Sequence, residues 1–83
     1  MSNAIIDQLM PLGLMTAGQA AHVEHVQGDR DHVQRLSELG LRSGSPVEMV
    51  KPGSPCIIRL GRQRLCFRAD ELTSVLVRTG KSA

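Results

Sequence analysis

The sequence predicts a mainly β domain: a small five-stranded barrel, closed or nearly closed, with one short α-helix inserted between its first and second strands. Three observations carry this. Short apolar runs of alternating parity recur between glycine and proline turns. One segment, RLSELGL at residues 35–41, has helical spacing and ends on a glycine. The chain has 83 residues, which is one domain's worth, so the strands must share a single core.

The elements follow in order. Residues 1–11 read as an N-terminal tail or one helical turn, with Ile5, Ile6, Leu9 and Met10 on one face and Pro11 as the stop. Gly18 is a turn before a first strand over residues 19–27. In that strand Ala21, Val23 and His25 share one parity. Val26 is out of phase with Val23, which predicts a bulge or the end of pairing near His25. Gly28 and Asp29 turn the chain. Asp29 or Asp31 caps the helix, Asp31 and Gln34 having capping-box spacing. Val33, Leu36 and Leu39 form the apolar stripe, and Arg35 and Glu38 face outward. Gly40 sits where a left-handed residue ends a helix, and Leu41 folds back onto the stripe.

Gly44 marks a tight turn. Val47 and Met49 then point inward, with Glu48 and Lys51 outward. After the loop at residues 52–55, CIIRL and RQRLCFR read as two strands joined by a hairpin at Gly61-Arg62. Residues 70–73 read as one helical turn and SVLVR as the last strand. Residues 79–83 are a C-terminal tail.

Composition narrows the function. Phe67 is the only aromatic residue, so the core is aliphatic. Neither an aromatic groove for proline-rich peptides nor a base-stacking platform is available. The net charge is +2, but it is unevenly placed: residues 1–41 hold five acidic and two basic side chains, residues 42–83 three acidic and eight basic. A basic second half suits an acidic partner or an anionic surface, or is simply a solvated face. No apolar run is long enough to cross a bilayer, and no signal-peptide pattern opens the chain. A cytosolic protein with two reduced thiols is expected.

No phosphate-binding, dinucleotide, zinc-protease or CxxC motif is present, and no catalytic residue is assigned. His22, His25 and Cys56 are the candidate metal ligands for a divalent ion, ferrous iron or zinc. On a regular strand His22 and His25 face opposite ways, and a bulge would bring them together. If Gly61-Arg62 is a two-residue loop, Cys56 faces Phe67 and Cys66 faces Ile57, so the thiols lie on opposite sheet faces and do not bridge. Arg59, Arg62 and Arg64, with Arg68, cluster on the hairpin. There they serve either to hold carboxylate or phosphate or to protect an edge strand. Arg35, Glu38 and Arg42 are the outward residues of the helix-cap segment. These two groups are the candidate partner-binding residues.

Read in sequence, the motifs resemble the ferrous iron transport protein A family, FeoA. They are Leu12 with Gly18-Gln19, Ala21-His22-Val23, the Arg35-to-Leu41 helix cap, Gly44 with Val47, Gly53-Ser54-Pro55, the hairpin at Gly61, Leu65 to Arg68, and Leu76-Val77. The resemblance spans residues 11–78 and implies an SH3-like barrel over 12–78, a fold also found as a domain of metal-dependent repressors. It implies a small, non-catalytic cytoplasmic protein, peripheral to the inner membrane, that binds and modulates the FeoB-type transporter. No cofactor is required by it. Cys56 and Cys66 depart from the family's aliphatic residues. The alternative is a metal-responsive regulatory module using His22, His25 and Cys56. Nucleic acid is not an expected partner. Weak self-association through edge strands is open to a barrel of this kind.

Overall fold

The structure, a computed structural model, describes residues 8–79. Six strands and one helix succeed one another: β1 (Leu9–Pro11), β2 (Ala20–Val26), α1 (Arg30–Glu38), β3 (Pro46–Lys51), β4 (Cys56–Leu60), β5 (Gln63–Phe67) and β6 (Val75–Arg78). Short 3-10 turns lie at Leu12–Leu14 and Ala69–Leu72. All strand pairs are antiparallel, in the order β1-β6-β2-β3-β4-β5.

The expected fold class holds, with two differences. The strands number six rather than five, because Leu9–Pro11 pairs with β6, Leu9 opposite Arg78 and Pro11 opposite Leu76. Three residues ending in proline carry too little alternation to register as a strand. Their pairing is imposed by β6, and Thr79 extends it by donating its amide to the Gln8 carbonyl at 2.9 Å. So the end of the expected tail is part of the sheet. Ile5 and Ile6, with the rest of 1–7, lie outside the described residues, as do 80–83. The second difference is closure: β1 and β5 are the two ends of the sheet and do not pair with each other.

The sheet curves around one aliphatic core. Leu12, Met15, Val23, Leu36, Leu41, Met49, Cys56, Ile58, Leu72, Val75 and Val77 are all buried there, together with Phe67, Val47 and Ala21. Among the described residues no charged or polar side chain is buried, so nothing in the core needs a hydrogen-bond partner to offset desolvation. Curvature comes from two irregularities. β2 slips against β6 between Val23 and His25, as the out-of-phase Val26 predicts, and β3 slips against β4 between Met49 and Lys51.

The helix starts where Asp29 accepts the amide of His32 at 2.9 Å; Asp31 lies in the first turn and is not the cap. Its end is a two-bond left-handed cap. The Gly40 amide donates to Ser37 O at 3.0 Å, and the Leu41 amide to Leu36 O at 2.9 Å. Gly40 has φ 107°, and Leu36 and Leu41 are both fully buried. Of the expected stripe, only Leu36 is fully inside. Val33 is half-buried, and Leu39, at the cap, is 37% exposed. The helix therefore seals the core with one leucine and the cap with another. A Cβ at Gly40 would meet only the Leu60 Cδ1 atom at 3.5 Å, so the penalty there is conformational rather than steric. In urea unfolding, Gly40→Ala is expected to cost about 1–2 kcal/mol and Leu36→Ala about 2–5 kcal/mol. The reverse ranking would show that the cap, not the core leucine, holds this segment.

Candidate functional site

Alternation along β2 to β5 divides every strand into an inward apolar set and an outward set that carries the chemistry. On β2, His22, Glu24 and His25 all face solvent. His22 lies opposite Arg78 and His25 opposite Leu76, two β6 residues of like parity, so the bulge turns both imidazoles to the same side of the sheet. The extra residue, Glu24, is tied down twice. Its carbonyl accepts from Ser43 Oγ at 2.9 Å, and its carboxylate accepts from Arg78 Nε at 3.1 Å.

The third candidate ligand is elsewhere. Cys56 is the first residue of β4 and points into the core, fully buried, with its Sγ 3.6 Å from Met49 Sδ. Burial, then the neighbouring Cys66, pushes its thiol pKa up. His22 and His25 thus face the same side of the sheet, and Cys56 faces the core. Among the described residues no group of three or more His, Cys, Asp or Glu is placed to hold a metal ion. The hairpin register is the expected one, Cys56 opposite Phe67 and Cys66 opposite Ile57. Both cysteines are free, Cys56 buried and Cys66 exposed.

The candidate partner-binding residues form two separate groups. In the helix-cap group, Arg35 reaches Glu71 at 3.0 Å, Glu38 accepts from Gln34 Nε2 at 3.3 Å, and Arg42 is exposed with its amide on Ser45 Oγ. Glu71 is the residue that sequence spacing does not reveal, because it reaches the helix from a turn more than thirty positions along. The Arg68 amide donating to its Oε1 at 3.0 Å holds the Glu71 carboxyl below its usual range; partial burial opposes this and the Arg35 guanidinium reinforces it.

In the hairpin group, Arg59, Arg62 and Arg64 are exposed. Arg59 stands between Glu48 on β3 and Arg64 on β5 in one cross-strand row. It pairs with Glu48. Among the described residues Arg62 and Arg64 have no ion-pair partner. A shallow groove beside this row is lined by Ala20, Pro46, Glu48, Arg59 and Gly61. Along this row one acid stands beside two bases, so the positive charge is only partly balanced within the sheet.

Comparison with known proteins agrees with this architecture. The FeoA domain family matches residues 10–79. A crystal structure of an iron uptake regulatory protein, FeoA, superposes with a TM-score of 0.82 at 26% identity, covering 86% of this chain and 97% of its own. Stenotrophomonas maltophilia FeoA, solved with zinc and described as an SH3 domain protein and a candidate ferrous iron transport activating factor, superposes at 0.74 with 35% identity, covering 82% and 88%. A manganese-dependent transcriptional repressor shares the fold alone, at 0.79 and 9% identity over 89% of this chain and 43% of its own. Among curated proteins none matches.

Two measurements check the site chemistry. A thiol reagent is expected to titrate Cys66 in the native protein and Cys56 only after unfolding; equal rates for both would contradict the buried position of Cys56. The Glu71 carboxyl ionises at lower pH folded than unfolded. Its contribution to stability is therefore complete above the unfolded value and is lost as pH falls through the folded one. Glu71→Gln should flatten the fall of Tm on that acid limb. An unchanged slope would remove Glu71 from the account.

Proposed function

The chain belongs to the FeoA family, and from that premise we propose that it is a non-catalytic accessory factor of ferrous iron uptake. It binds a FeoB-type transporter at the cytoplasmic face of the inner membrane and modulates it by contact. The observation that carries this reading is the family match across residues 10–79. The solvated, charge-patterned sheet and helix-cap surfaces support it, since they offer binding groups without a catalytic constellation. Among the described residues no helix is long and apolar enough to cross a membrane, which fits a protein recruited through its partner. The reading requires no cofactor.

A metal-responsive module is the second reading. One observation favours it: the Stenotrophomonas relative was solved with zinc, and here His22 and His25 face the same side. Two histidines leave a tetrahedral site half-filled, so the contact reading is preferred.

The test is capture of the purified chain by the full-length transporter, repeated with ferrous iron present under anaerobic conditions. Saturable binding that weakens in the Arg35→Glu or Arg62→Glu variant is expected. No binding with or without iron would remove the accessory reading. Binding that needs iron and is lost in His22→Ala with His25→Ala would favour the metal-responsive one.

A further inference from the structure

The open edge of β5 carries a recognition pattern of its own. Leu60 and Gln63 close the two-residue hairpin, and a pair in that position exchanges both ladder bonds. Alternation makes Ile58–Leu65 and Cys56–Phe67 the next bonded pairs. The N–H and C=O groups of Arg64 and Cys66 are therefore turned away from β4. β5 is the last strand of the sheet, and among the described residues no hydrogen bond reaches those groups.

The side chains around that edge are equally unfinished. Across the outer face one row runs Glu48, Arg59, Arg64. Glu48 neutralises Arg59. Arg64, directly opposite Arg59, is left beside a like charge, an arrangement that disfavours the hairpin unless an anion joins it. Residues 62–68 hold three arginines and no acid. On the inner face of the same strand Leu65 is only partly buried against the core, so the apolar surface also ends at this edge.

We propose that the β5 edge docks an extended segment of a partner protein in which carboxylate and aliphatic residues alternate, added to the sheet as a seventh strand. Its backbone bonds to Arg64 and Cys66, a carboxylate completes the row beside Arg64, and an aliphatic side chain covers Leu65. Edge arginines also serve as protection against unwanted pairing. Here the protection is selective, because the cations repel a second copy of β5 and attract an acidic strand. This deepens the accessory reading by naming the chemistry of the contact, and it rests on that reading only for the identity of the partner.

The probe is a synthetic peptide alternating valine and glutamate, titrated into the full chain and followed by amide exchange and chemical shift. Slowed exchange at Arg64 and Cys66 is expected, with binding weakened about tenfold or more by Arg64→Glu. Cys66→Pro should abolish binding while the chain still folds cooperatively, because that N–H is on the open side and no bond to β4 is lost. Independently of any variant, a peptide alternating valine and lysine should not bind the wild-type chain. Equal binding of the two peptides, or protection confined to other strands, would overturn the proposal. So would protection of Arg64 and Cys66 that rises with protein concentration without peptide, which would place a second copy there. Transporter capture unaffected by both variants would overturn this edge and leave the accessory function standing. Protection by the acidic peptide without any transporter capture would sustain the edge and remove that function.

Discussion

The slip of β2 against β6 at Glu24 is the constraint on which the rest of the structure depends. A single sheet can enclose its own core only if it bends, and an extra residue in one strand is the means of bending it. Before the slip Ala21 and Val23 point inward; after it Val26 does. The extra residue leaves a backbone carbonyl without a ladder partner, and Ser43 supplies the hydrogen bond. Arg78 meets the Glu24 carboxylate. β6 is held by the same stretch of β2, and β1 is held by β6. A second one-residue slip, in β3, does the same between β3 and β4.

An aliphatic core of this size has little reserve. Among the described residues it contains no buried polar side chain to specify a unique arrangement. Specificity comes instead from turns and caps, whose backbone geometry admits few alternatives. The Gly40 cap is the most consequential of these. It ends the helix, reverses the chain, and delivers Leu41 beside Leu36 within three residues. The ion pair between Arg35 and Glu71 lies over the same region, but its arginine is exposed and the pair contributes little beside the leucines.

The charged side chains lie on the outward half of the same alternation. Each inward residue that builds the core places its neighbour on the surface at a set spacing, so the sheet presents charges in rows. Glu48 with Arg59, and Glu24 with Arg78, are internally balanced. The hairpin at the open end is not. The proposed contact role draws on that imbalance, because a fully neutralised surface has no electrostatic preference among partners.

What the sequence by itself determined was local. The helix cap, the hairpin at Gly61-Arg62, the opposite faces of Cys56 and Cys66, and the irregularity near His25 all depend on contacts within a few residues, or on parity. Both can be read directly from residue order. Tertiary structure decided the rest. Leu9–Pro11 is a strand only because β6 offers it an edge. Leu39 lies outside because the cap rotates the chain before its turn of helix is complete. Cys56 parts company with His22 and His25 because its parity sends it into the core while both histidines face outward. Glu71 reaches Arg35, and Arg64 stands unneutralised beside Arg59, through pairings between elements separated by loops. Spacing along the chain carries no information about such pairings, because their register is set by how the whole apolar face is buried.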